Sequence, residues 1–393
     1  MPLTARAFLA VIVGGLFAMQ VVRTAAVTDD ASRATLAVRL WPSHPAVLVD
    51  RTMGEIGARA ARGQPLTPAI LNQVEQIASK APLAPEPFLI KGALAQVEQR
   101  QEYAEQLFTA ARARDPRSVA ARYFLADRYV RSGRTGQALA EIAALSQLFP
   151  QGMVGFGPAL ANFAQTAGAV PQLRRLFQSS PQLEPVVLSA LANDARNAKL
   201  VLALWGRRQG SADPATAEWQ AKLVGKLVEQ GQFGSAYAIW RLVAGVGDSR
   251  GKLFNPGFVK SDVPPPFNWK LATDGGVVEP MRGDRLQVIY FGRNDAVLAE
   301  QLLLLAPGRY QLSMDISNPP GEGGAIAWSL ACVPGKDAIF RLQIERKGRL
   351  AVSFSVPQGC AAQRLQLTGT PGDFPQSQDF SIGKVNLTKA AGA

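Results

Sequence analysis

The chain has 393 residues, 47% hydrophobic and 18% charged, with a formal net charge of +12. That balance builds folded domains, two or three at this length, and excludes a disordered tail. The single histidine, His44, sits beside a predicted helix start and reads as a turn residue, so no site with more than one imidazole can be built. The basic residues are scattered along helices without interleaved aromatics, which reads as a solvated surface and excludes a nucleic-acid partner.

At the N-terminus, Arg6 precedes an apolar run that ends at Arg23. A basic residue followed by such a run has the form of a secretory signal, with Thr24-Ala25-Ala26 as a possible cleavage site. Read instead as an uncleaved anchor, residues 7–22 would span about 24 Å as a helix. The hydrocarbon core is about 30 Å thick, and snorkelling arginines at both ends would cover the difference. The expectation is an anchor or signal over residues 1–26, with the bulk of the chain outside the cytoplasm.

Residues 27–250 carry helical periodicity almost throughout. Helices are expected at Asp30–Leu40, closed by Trp41-Pro42, then over 43–62, then over Ala69–Ser79, with Thr67 as its N-cap and Pro68 at its first position. From Pro82 a 34-residue period sets in, repeated at Pro116 and Pro150. Gly92 aligns with Ala126, Ala95 with Tyr129, Ala104 with Ala138, and Phe108 with Ile142. Small residues at matched positions let antiparallel helices approach, and the larger ones fill the space between successive pairs. A weaker unit precedes these, and another spans Ala217–Arg250. Residues 153–214 are helical but off period.

These positions resemble the tetratricopeptide repeat, which implies an α-helical solenoid whose first helices line a partner-binding groove. Carried over by position, the groove would show Glu86, Leu89, Gln96 and Val97 from one unit. The next would add Tyr123, Asp127, Val130 and Arg131. The same residues also suit a solvated helix face with an i, i+4 ion pair between Asp127 and Arg131.

Past Gly251 the pattern changes to short alternating segments between Gly/Pro turns. Strands are expected at Arg285–Phe291, Gln301–Leu305, Arg309–Ile316, Ala325–Cys332, Ala338–Glu345, Leu350–Val356, Arg364–Thr368 and Phe380–Leu387. With no intervening helices, residues 251–393 predict an antiparallel β-sandwich of jelly-roll type. Phe254-Asn-Pro-Gly-Phe258 and Pro266-Phe-Asn-Trp269 resemble the opening of galactose-binding-like and carbohydrate-binding-module jelly rolls. That resemblance makes exposed aromatics candidates for glycan contact, with Trp269 and Phe374 foremost. Tyr290 and Trp328 lie in strands, where aromatics belong to the core. Cys332 and Cys360 read either as a disulfide, worth about 3–4 kcal/mol by loop closure, or as two buried thiols.

Glu279, Asp284, Asp295, Glu300 and Asp315 show no spacing that singles out a catalytic pair. No phosphate-cradling glycine loop or zinc spacing is present. The expectation is therefore no enzyme, no cofactor and no metal site. The order of hydrophobic segment, tetratricopeptide body and terminal sandwich resembles envelope proteins of Gram-negative bacteria, some associated with exopolysaccharide. It implies a single-pass inner-membrane protein with a periplasmic bulk that holds an envelope protein in its groove. The alternative is a carbohydrate-binding protein acting through the sandwich, with the helices as a spacer.

Overall fold

A computed structural model describes residues 19–20, 38–206, 214–318, 321, 324–335, 337–374 and 376–390. The hydrophobic run over 7–22 and most of the helix expected over Asp30–Leu40 lie outside these residues, apart from short helical stretches at 19–20 and 38–40. Among the described residues no helix is long and apolar enough to cross a membrane. The chain divides into two compact units between Met153 and Val154.

The first unit is built of antiparallel helix pairs: α1 (Pro45–Ala61), α2 (Pro68–Lys80), α3 (Glu86–Val97), α4 (Gln101–Arg114), α5 (Val119–Arg131) and α6 (Thr135–Leu148). Two of their starts follow from side-chain caps. Thr67 caps α2 by accepting from the Ile70 amide, and Ser118 caps α5 by accepting from the Ala121 amide, in each case satisfying an orphan donor of the first turn. Inside the α3–α4 pair Gly92 lies against the Phe108 ring, so that an added Cβ would sit 2.8 Å from a ring carbon. Phe108 in turn stacks on Phe124 of α5 at a centroid distance of 3.9 Å. Ala95, Ala104, Ala111, Leu125 and Tyr129 complete one continuous cluster, which ties the two repeats together.

The second unit opens with α7 (Gly157–Ala164), α8 (Ala169–Ser179), α9 (Leu183–Leu191), α10 (Ala198–Trp205), α11 (Pro214–Glu229) and α12 (Phe233–Ala244). Eleven strands follow among the described residues: β1 (Lys270–Leu271), β2 (Gly276–Met281), β3 (Arg285–Tyr290), β4 (Ala296–Leu303), β5 (Gly308–Ser317), β6 (Gly324–Val333), β7 (Ala338–Gln343), β8 (Gly348–Val356), β9 (Ala362–Pro371), β10 (Gln378–Ile382) and β11 (Asn386–Lys389). They form two antiparallel sheets. One runs in the order β1-β4-β9-β6-β7, and the other in the order β11-β5-β10-β3-β2 with β8 paired to β5. The inward positions of both sheets make one core around Trp328, Tyr290, Leu365 and Phe380, as expected for a sandwich of alternating strands.

Cys332 and Cys360 form a disulfide, which settles the alternative of two thiols. Packing does not break where the composition changes near residue 251. Trp240 of α12 is fully buried, and its indole N–H donates to the Pro264 carbonyl at 2.6 Å. Its ring packs against Phe254 and Phe267. The Tyr237 hydroxyl donates to Asp248 Oδ1 and accepts from the Ser249 amide. The helices at the end of the α-region and the segment leading into the sandwich share a core.

Candidate functional sites

Two surfaces qualify, one in each unit. In the first, α3 and α5 carry the residues expected to line a groove. Leu89 and Val130 lean partly buried on the common cluster. Val97 is 78% exposed and Tyr123 47% exposed, and Gln96 and Arg131 lie in solvent while Glu86 and Asp127 are half-buried. Arg131 Nε meets Asp127 Oδ2 at 2.8 Å on this exposed surface, so the i, i+4 pair exists and is solvated. Its energetic weight is therefore small. What the face offers a partner is an aromatic and an aliphatic side chain flanked by orienting charges.

Behind this face the repeats are held by arginine–glutamate brackets that the sequence pattern did not single out. The Glu105 carboxylate receives both Arg134 terminal nitrogens at 2.6 Å and Arg128 Nε at 3.3 Å. The bonds from Arg134 hold its carboxyl below the usual carboxylate range, with Arg128 assisting and burial opposing. Glu141, itself buried, is paired with Arg112 and with Arg122, the latter at 2.6 Å. Both brackets join residues 29 apart in sequence. That recurring interval was available in the sequence, though nothing local distinguishes it.

In the second unit the glycan candidates separate. Trp269 is a core residue: it is 7% exposed, packs against Phe258 and Trp328, and donates its indole N–H to the Asn255 carbonyl at 2.9 Å. It is therefore corrected from glycan contact to core, because its one polar atom is satisfied internally and its ring has no free face. Tyr290 and Trp328 are buried as expected. Phe374, by contrast, is 81% exposed, on the β9–β10 loop. The β3–β4 loop lies directly alongside: Gly292, at φ +68°, leaves no room for a Cβ against the Gln376 backbone. Phe291, also exposed, is thus brought to the same end of the sandwich, a proximity the sequence did not reveal.

Beside these loops a cleft of about 460 Å³ opens at the β1–β4 edge, lined among others by Lys270, Thr273, Asp274, Asn294, Asp295 and Glu300. Amide, hydroxyl, ammonium and carboxylate groups converge there, a set suited to a polyhydroxylated ligand. Among the described residues no group of three or more His, Cys, Asp or Glu side chains is placed to hold a metal ion.

A tetratricopeptide-repeat family model matches residues 102–152, which covers α4 to α6. No curated protein matches the chain. Among solved structures, the chain is similar to TmCBM61 in complex with β-1,4-galactotriose, at 16% identity over 36% of this chain and all of that one, with a TM-score of 0.26. A CBM4 structure is 13% identical over 35% of this chain and all of that one, with a TM-score of 0.28. Yeast Tom70 is 12% identical over 55% of this chain and 46% of that one, again with a TM-score of 0.28. The tetratricopeptide-like helices and the jelly-roll sandwich are the two parts of this fold.

Proposed function

We propose that the protein is a non-catalytic adaptor of the bacterial cell envelope. In this reading the N-terminal hydrophobic segment tethers it to the inner membrane and the bulk is periplasmic. The repeat face of α3 and α5 holds a protein partner, in envelope or exopolysaccharide assembly. The carrying observation is that Val97, Tyr123 and Arg131 are exposed, with half-buried Asp127 paired to Arg131, on consecutive first helices of tetratricopeptide-like pairs. An exposed aromatic on such a face is the kind of anchor that dominates docking energies. The disulfide between Cys332 and Cys360 accords with an oxidising compartment.

The test is photo-crosslinking of the full chain from position 123 in envelope vesicles. A discrete adduct should form and should vanish with Arg131→Glu, while an adduct indifferent to that change would remove this face as the docking site.

A second reading rests on the loop end of the sandwich. Phe374 and Phe291 expose aromatic surface next to the polar cleft, which favours glycan contact there. Glycan-array binding by the full chain, lost with Phe374→Ala, is the expected result. Binding unchanged by that substitution would exclude the loop end.

A further inference from the structure

β8 is a sheet edge. It pairs with β5 residue for residue from Gly348 to Val356, and with no other strand among the described residues. Which of its backbone groups are free follows from β5. The Arg309 and Asp315 carbonyls accept from the amides of Ala390 and Gly383, on the side of β5 away from β8. In an antiparallel ladder a residue's N–H and C=O point the same way, and successive residues alternate. The even-numbered residues of β5 therefore bond the even-numbered residues of β8. The N–H and C=O groups of Arg349, Ala351, Ser353 and Ser355 point out along the open edge, and these four residues are exposed.

An open edge invites pairing with another chain, and folds usually blunt it. The other edges of this sandwich are blunted. β1 has two residues and β11 four. In β2 the Gly275 carbonyl accepts from the Phe291 amide, which turns the even-numbered residues to the open side. Pro280, with no N–H, falls there. β7 shifts register against β6 and carries exposed Arg341 along its length. β8 has none of these devices: nine residues, no proline, an unbroken register, and a single charge, Arg349, near one end.

We propose that β8 docks antiparallel on β8 of a second copy of this chain, about a two-fold axis through Val352. In that register Arg349 faces Ser355 of the other copy and Ala351 faces Ser353, so every outward residue joins a hydrogen-bonded pair. No like charges lie directly opposite. Antiparallel pairing also sets Arg346 and Lys347, exposed in the β7–β8 turn, about 37 Å from their counterparts. That is well beyond a screening length of about 8 Å, whereas parallel pairing would put the two basic turns side by side. Selecting a foreign strand would need pockets for its alternate side chains, and Ala351, Ser353 and Ser355 form none. A second copy needs no pocket, because the edge is its own complement. The inference goes beyond the repeat-face and loop-end readings and uses neither surface.

Analytical ultracentrifugation of the full chain in detergent should show a reversible dimer. Ser353→Pro removes an outward N–H that β5 does not use, so the fold survives while the dissociation constant rises about tenfold or more. Ala351→Lys sets like charges beside the axis and weakens the dimer without touching the backbone, which keeps the test open should Ser353→Pro unfold. Oxidative cross-linking reads the register. Val352→Cys should link the two copies, because paired residues at the axis lie about 4.5 Å apart between Cα atoms, and Ser355→Cys should not. A chain that stays monomeric overturns the proposal, whether or not it captures an extended peptide. So does a dimer that persists in either folded variant, or cross-linking from Ser355→Cys equal to that from Val352→Cys. Arg131→Glu and Phe374→Ala should leave the dimer intact, and its loss in either would place the contact elsewhere and overturn it as well.

Discussion

Glu141 is a buried acid that ties the second repeat to the first. It is buried in α6 and paired to Arg112 of α4 and Arg122 of α5, so one side chain links three helices. Removing it leaves two half-buried guanidinium groups facing each other. Breaking a fully buried pair costs about 3–5 kcal/mol; because the arginines keep some solvent, Glu141→Ala should cost about 2–3 kcal/mol. Urea unfolding would measure this, and a loss below about 0.5 kcal/mol, the level of a surface pair, would mean the bracket is ornamental. Glu105 adds a pH dependence. Its folded carboxyl lies below the ordinary value because Arg134 and Arg128 bond the charged form. Its stabilising contribution is therefore complete above the ordinary carboxylate pKa of about 4.3 and fades as pH falls through the lower folded value. The stability gap between wild type and Glu105→Gln should close on acidification, and a gap that is constant down to strongly acid pH would rule the linkage out. At this scale the sequence is legible only where partners are local. The Asp127–Arg131 pair follows from i, i+4 spacing, whereas the brackets join residues 29 apart that only the helical stack brings together. Trp269 misleads for the same reason: the carbonyl that satisfies its indole belongs to Asn255, across a turn.

Helix and strand boundaries show how far pattern reaches at the next scale. α2 starts at Pro68 behind the Thr67 cap, where the cap chemistry places it. β5, β6 and β8 coincide closely with their alternating segments. β2 escapes notice because it is an edge strand that begins at glycine and contains Pro280, features that mark turns elsewhere. The single strand expected over Phe380–Leu387 is two, β10 and β11, because the chain breaks at Gly383, whose amide bonds to the Asp315 carbonyl. The repeat period places Gly92 among the small residues that let helices approach, and the packing shows how close that approach is. Alanine there gains about 1 kcal/mol in helix propensity, but its methyl would meet the Phe108 ring. That ring is already stacked on Phe124 and cannot retreat freely, and overpacking of this kind costs about 1–3 kcal/mol. Gly92→Ala is therefore expected to be net destabilising by about 1 kcal/mol in chemical denaturation. A stabilised variant would show that Phe108 has room to move.

For the molecule as a whole, composition and compactness give different boundaries. The change from helical to alternating pattern near residue 251 is where secondary structure switches, and it is where the sequence pattern divides the chain. The compact units meet between Met153 and Val154, because α12 contributes to the same packing as the segment entering the sandwich. Trp240 is the reason. It is fully buried, bonded to the Pro264 carbonyl, and set against Phe254 and Phe267, all three of them on the far side of residue 251. A fragment of residues 251–393 would lose that indole and expose both phenylalanines, while 154–393 would keep the packing whole. Truncating a buried tryptophan to alanine costs about 3–5 kcal/mol, a large share of the 5–15 kcal/mol that stabilises a typical domain. Thermal unfolding followed by circular dichroism should thus show one cooperative transition for 154–393. Both its Trp240→Ala variant and the 251–393 fragment should melt well below it, and the fragment should bind a hydrophobic dye at its uncovered aromatics. If 251–393 instead melts at the same temperature as 154–393 without dye binding, the sandwich is self-sufficient and the helices preceding it contribute only contact, not stability.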